Sequence, residues 1–416
     1  MSNKFIIRPY LLHNPIKKYA WGAKGKKSYI SQLLGLNPEK DEPLAELWMG
    51  AHPKSPSNIR IGDNIFPLSK IIEDHPLEIL GGEVAHKFYG QLPFLFKLLS
   101  IDEPLSIQAH PNKEQAVILH KKNPDEYPDE NHKIEIALAI TELSALVGFK
   151  PVNEIIDIFK NITELQEFLG SEELDEIKKK VNGSKLSRRV ALKDLITLLT
   201  RKAQTDELLF IKLVGIIEKN FQRNKYKSEL TELREIFLYL YQTYGADIGL
   251  IFILLLNPIK LKKGEAVFTS AGIPHLYLKG NIIECMTNSD NVVRAGLTPK
   301  HKDVESLIEI LTYESETITP VESIKDGFSV IYNTPAEEFS LSTIYLEQGS
   351  VIKSQSNDKP SIVLITKGVV TVLWKEGFVE KRTDYQKGNS ILIPAKLGEY
   401  QFVANEDIEL YKADIP

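Results

Sequence analysis

The 416-residue chain contains one cysteine, Cys285. A single thiol cannot build an internal disulfide framework or a multi-thiolate zinc site, and it suits a reducing compartment. Long apolar runs are also missing. The longest, residues 248–256, spans nine positions with Gly249 inside it, whereas a bilayer span needs about 20 residues. Residues 1–19 are broken by Lys4, Arg8, Pro9, Pro15 and Lys17 and hold no apolar stretch of the ~7–15 residues that a signal peptide needs. The expectation is a soluble, cytoplasmic protein with no membrane partner. Positive charge is not in excess: 51 Lys and Arg against 56 Asp and Glu leave a net charge of −5, which excludes the basic field of a non-specific nucleic-acid binder. There is no glycine-rich phosphate loop, dinucleotide fingerprint, nucleophile elbow or His-Glu-x-x-His helix. No low-complexity segment and no repeat with a period of ~20–50 residues occurs either. Histidine is scarce. Of nine, none follows His301, so a histidine-based site must lie before the C-terminal part of the chain.

What is present reads as an ordinary globular chain, 43% hydrophobic and 26% charged, with a length that suggests two or three domains at ~150 residues each. Up to about residue 150, short segments are cut by proline and glycine, as at Pro53-Lys-Ser-Pro56 and Gly81-Gly82, which reads as strands and loops. From Pro151 to about Tyr244 proline disappears, and apolar residues recur at helical spacing: Ile155, Ile156 and Phe159; Leu195, Leu198 and Leu199; Leu233, Ile236, Phe237 and Leu240. Four to six amphipathic helices are expected there, one beginning at Ser171 with acids in its first turn. After residue 248 the strand pattern returns. The last ~95 residues, with runs such as Ser361-Ile-Val-Leu-Ile-Thr and Gly388-Asn-Ser-Ile-Leu-Ile-Pro394, read as a barrel or jelly roll. The expected organisation is a β-domain from residues 1–150 and 245–320, a helical insertion at 151–244, and a second β-domain at 321–416. Such an insertion costs little loop entropy.

Four segments could carry chemistry. In Leu105-Ser-Ile-Gln-Ala-His110-Pro, strand alternation puts Gln108 and His110 on one face, where both could ligate a divalent metal. In Asp129-Glu-Asn-His132-Lys133-Ile-Glu135, an extended chain puts Lys133 and Glu135 together and turns His132 away. A helix start capped by Asp129 or Asn131 is the other reading. A lysine beside a carboxylate in a barrel mouth could act in proton transfer. In Ser270-Ala-Gly-Ile-Pro-His275-Leu-Tyr277, the Pro-His step fixes an imidazole at the end of a strand. The fourth, residues 283–300, presents Glu284, Arg294 and Lys300, with a guanidinium fork matched to carboxylate or phosphate. Each has a bland counterpart: a hydrogen-bonded strand-end histidine, a solvated charged turn, a structural ion pair. Together they offer two histidines, a glutamate and a glutamine, an N/O set that suits Zn²⁺ with an open position.

These segments, with Tyr19-Ala-Trp-Gly22, Ala45-Glu-Leu-Trp-Met-Gly-Ala-His-Pro53 and Leu92-Pro-Phe-Leu-Phe-Lys97, make the chain resemble the type I mannose-6-phosphate isomerases, cupin-type zinc enzymes. The resemblance runs through most of the chain and is loosest in the helical segment. It implies a mainly β fold with inserted helices: two cupin-like jelly rolls plus a helical domain. It implies Gln108, His110, Glu135 and His275 as ligands of one Zn²⁺ per chain, and a hexose 6-phosphate as the small-molecule substrate, with no obligate protein partner. It places Arg294 near the reacting sugar phosphate and implicates His132 and Lys133 in ring opening and proton transfer, with Glu284 as the second proton carrier. Lys97, Tyr277, Lys300 and Trp21 are expected at the substrate. Ile134 stands where the family usually has proline, and Ala20 where it often has an acid; neither supplies a ligand. Two other classes fit the residues alone: another metal-dependent cupin, such as an oxygenase or sugar epimerase, and a non-catalytic sugar-phosphate binding module.

Overall fold

One strand organises the first β-unit. In the computed structural model, which describes residues 5–226, 230–299 and 302–416, His275–Thr287 pairs antiparallel with Phe94–Ile101, Ile107–Ala109, Glu135–Ala139 and Leu143–Phe149. Its first residues lie against Gln108 and Val147. From Gly280 onward it runs beside Phe94–Ile101 and, shortly after, Glu135–Ala139 as well. The change of neighbours occurs at Gly280, whose φ is +140°. A Cβ there would stand 2.6 Å from the Glu142 carbonyl oxygen. Glycine alone tolerates both, and strands that pass from one sheet to another turn at such bends. Gly280→Ala is therefore expected to lower the unfolding free energy by about 3 kcal/mol or more through strain and overpacking, read as a shift of the denaturant midpoint at unchanged slope.

Strand alternation sorts the two faces of this unit. Leu99, Ala137, Ala139, Ala145 and Ile282 form part of one buried cluster, and Lys97, Glu135 and Glu284 sit two residues from members of that set. On the opposite face, Leu98, Ile136, Leu138, Ile283 and Cys285 share a core with Leu341, Ile362, Leu364 and Leu392 of the C-terminal part. The two β-units thus bury their sheets against each other.

The C-terminal unit combines a seven-stranded and a four-stranded sheet. Their facing residues, among them Val363, Ile365, Val372 and Phe402, fill the space between them, and Ser361–Lys367 is buried on both faces because its alternate residues join two different cores. The first strand of the chain, Tyr10–Leu11, pairs with Leu392 and Ile391. The N-terminus therefore completes the last sheet, a pairing that the division at residue 321 does not anticipate, since alternation identifies a strand but not its partner.

Among the described residues six helices lie between Val152 and Tyr244, and Ser171–Val181 begins with Glu172 and Glu173 in its first turn. Their core runs on into Leu146, Phe149, Leu276 and Val293, so the helical segment seats on the outer face of the first β-unit. The apolar run at 248–256 becomes the buried helix Gly249–Leu255 and the start of the strand Leu256–Leu261. Among the described residues no helix is long and apolar enough to cross a membrane.

Candidate functional site

His110 follows the strand Ile107–Ala109, and His275 opens the hub strand. The Nδ1 of His110 is 2.9 Å from the Asn291 carbonyl oxygen, and that of His275 is 3.0 Å from the Ile273 carbonyl oxygen. A carbonyl only accepts, so both rings carry a proton on Nδ1, which leaves Nε2 as the nitrogen available to a metal. Both Nε2 atoms face Glu135, at 3.6 Å from Oε2 for His110 and 2.9 Å from Oε1 for His275. Neither buried Nε2 has a hydrogen-bond partner. The three ligand atoms lie within 4.8 Å of one another, and none of these residues is more than 1% exposed. Two partnerless imidazole nitrogens and a carboxylate converging in a closed interior are what a divalent cation relieves, with the Nδ1 bonds fixing ring orientation. This donor set fits zinc.

Protonation follows the same direction. Burial, with Lys133 nearby, pushes the His110 imidazole down to about 3, so the ring is neutral at physiological pH. Burial opposes charge on Glu135, but His275 and Lys133 beside it outweigh that and hold its carboxyl well below the usual range. Gln108 is directly across from His275 on one side and from Arg294 on the other. The three therefore form one cross-strand row with their side chains on the same face.

Lys133 and the Lys97–Glu284 pair lie beside this cluster. Lys133 Nζ is 3.7 Å from Glu135 Oε2, and Lys97 Nζ is 2.8 Å from Glu284 and 3.9 Å from Glu46. Burial works against the Lys97 charge, yet Glu284 and Glu46 keep its ammonium above the ordinary value. Burial, added to by Glu135 and offset in part by Lys97, raises the Glu284 carboxyl. Glu46 and Trp48 are functional candidates that the sequence reading quoted in a motif but did not assign. Glu46 accepts the Trp48 indole N–H, and the Lys97 ammonium sits 5.4 Å from the Trp48 ring centroid. Their i, i+2 spacing on a strand paired with Phe94–Ile101 is the signal that could have found them, because Trp48 lies directly opposite Lys97.

Tyr277 is 1% exposed and its hydroxyl donates to Glu135 Oε1 at 3.0 Å. It braces the carboxylate. Trp21 is half-buried against the interior cluster, its ring 5.8 Å from that of Tyr19. Burial lowers the Arg294 guanidinium, with Glu126 and Tyr127 acting in the other direction. Lys300 lies outside the described residues. His132 turns away from Lys133 and Glu135, as an extended chain requires, and its Nε2 meets Glu338 Oε1 at 2.9 Å. The backbone here is extended rather than helical. The Ile134 N–H donates to Thr287 Oγ1, which in turn donates to the His132 carbonyl, a bond that a proline at 134 could not make. A cavity of about 770 Å³ flanks this region, with His52, Lys113, His132, Asp290 and Glu338 in its walls.

Residues 10–152 match the family described as phosphomannose isomerase type I, catalytic domain. Mannose-6-phosphate isomerase of Mus musculus is 35% identical, covering 98% of this chain and 96% of that protein. Its counterpart in Rattus norvegicus is 39% identical over 88% of this chain and 89% of that protein. Among solved structures, an arginine-to-alanine variant of phosphomannose isomerase from Salmonella typhimurium superposes with a TM-score of 0.83 at 29% identity, covering 98% of this chain and 99% of that one. A zinc-bound mannose 6-phosphate isomerase superposes with a TM-score of 0.82 at 28% identity over the same shares of the two chains. With relatives this similar along nearly its whole length, and a buried histidine–glutamate cluster at the centre of its first β-unit, the chain belongs to the type I phosphomannose isomerase family of enzymes.

Proposed function

We propose that this chain interconverts D-mannose 6-phosphate and D-fructose 6-phosphate by moving a proton between C2 and C1 of the open-chain sugar through an enediol. The observation that carries the reading is the pair of partnerless Nε2 atoms aimed at Glu135, with Lys133 and the Lys97–Glu284 pair alongside. Gln108, His110, Glu135 and His275 are the residues that would hold one Zn²⁺ per chain. When bound, the metal supplies a Lewis acid near the sugar oxygen on which negative charge develops. Lys133 is the leading proton carrier and Glu284 the second. Glu284 is suited to that task because burial brings its carboxyl nearer to neutral pH than an exposed one. Lys97 keeps Glu284 oriented. Arg294, in the row with Gln108, stabilises the developing negative charge, and Lys300 is assigned to the phosphate, which carries about −1.5 to −2 charge at neutral pH. Trp21 contributes an aromatic wall beside the substrate.

Purified protein given mannose 6-phosphate is expected to form fructose 6-phosphate, with or without O₂. A chelator is expected to abolish turnover, and Zn²⁺ to restore it at one equivalent per chain by metal analysis. No product from protein with its full zinc complement would overturn the reading. A strict requirement for O₂ would point instead to an oxygenase.

A further inference from the structure

The C-terminal unit contains no histidine, and its own interior is filled by side chains such as Val363, Val372 and Phe402. Among the charged groups it turns toward the first unit is Glu338. Glu338 lies just before the strand Ser340–Leu346 and is 7% exposed. Its backbone is anchored by Ala336 and Phe339, both buried in the core between the units. Its Oε1 meets His132 Nε2 at 2.9 Å and Lys113 Nζ at 3.3 Å, while its Oε2 accepts the Glu337 N–H at 3.2 Å. These two cationic or proton-bearing partners belong to two of the three segments that bring up the proposed ligands. His110 is three residues before Lys113, and Glu135 is three residues after His132. The loop 131–134 is gripped from the other side through its backbone, by Thr287 Oγ1 on the His132 carbonyl and the Ile134 N–H.

We infer that Glu338 is a positioning residue: acting through His132, it sets the loop that carries Lys133, and so gives the C-terminal unit a part in catalysis. The inference rests on the reading of Lys133 as the proton carrier, and it moves His132 from ring opening to holding the loop. Docking of the two units does not need this carboxylate, since the apolar core they share already secures it. A carboxylate this buried is kept charged only by close partners, and His132 and Lys113 hold it down at about 2 against the effect of burial. A proton carrier misplaced by about 1 Å loses orders of magnitude in rate while substrate binding is little changed.

The test is a double-mutant cycle with Glu338→Gln and His132→Asn in the zinc-loaded protein. Each single variant is expected to lower kcat about tenfold with KM within twofold and zinc content unchanged. The double variant is expected to match the worse single one, because both remove the same contact. Hydrogen exchange at the amides of residues 131–134 is expected to quicken in both single variants, a readout that needs no activity at all. Glu338→Asp, which keeps the charge, is expected to recover part of kcat. Costs that multiply in the double variant would make His132 a catalytic group in its own right and overturn the inference. Unchanged exchange or unchanged kcat in Glu338→Gln would do the same. A wild-type protein with no isomerase activity would instead sink the proposed reaction, and the exchange data would still decide whether Glu338 holds the loop.

Discussion

Replacing His275 with alanine is expected to strip the protein of zinc and to lower turnover of mannose 6-phosphate by at least ~10³-fold, about 4 kcal/mol of transition-state stabilisation. The imidazole is fully buried and oriented by the Ile273 carbonyl, and its Nε2 has no other use in the structure. Its loss leaves His110 and Glu135 as the remaining buried donors of the cluster. Two measurements on the same sample decide it: metal content after dialysis against a weak chelator, and the initial rate at saturating substrate. The fold is expected to survive, because the strand is held by backbone pairing on both flanks and alanine is small enough for the site. Retention of zinc and activity near wild type would show that the cluster is not a metal site.

The second large effect concerns the proton itself. Lys133→Met removes the ammonium that lies 3.7 Å from Glu135 but none of the proposed ligands. Zinc is expected to remain bound, while exchange of the C2 proton with solvent falls by ~10²–10⁴-fold, the usual contribution of a positioned acid or base. Glu284→Gln is the companion experiment. It breaks the 2.8 Å contact with Lys97, and by leaving a buried ammonium with only the more distant Glu46 it is expected to cost stability as well. If Lys133→Met exchanges at the wild-type rate and Glu284→Gln does not, the proton carrier is Glu284. That outcome has a physical basis in the structure. Three carboxylates, Glu46, Glu135 and Glu284, share two lysines there, so one acid is left poorly compensated, and Glu284 is the one raised by burial and by its acidic neighbour.

The assignments that depend on a neighbour were the hardest to read in advance. Tyr277 was expected at the substrate from the resemblance alone. Its hydroxyl donates to Glu135, a partner 142 residues away. Glu46 and Trp48 carried a readable i, i+2 alternation, but nothing local showed that Lys97 would lie across from Trp48. The contact between His132 and Glu338 spans 206 residues and had no sequence signal at all.

By itself, the order of residues determined what local rules govern. Period-2 and period-3.6 patterns separated strands from helices. The lone cysteine and the scarce histidines limited the metal chemistry to nitrogen and oxygen donors. Extended-chain geometry sent Lys133 and Glu135 one way and His132 the other. Only the tertiary structure decided which strands would meet, that Gly280 would turn the hub strand between sheets, that Tyr10–Leu11 would complete the last sheet, and that two histidines would turn their partnerless Nε2 atoms toward one carboxylate. The reason is physical: alternation constrains each strand alone, whereas register, tautomer and ion pairing depend on groups brought together from far along the chain.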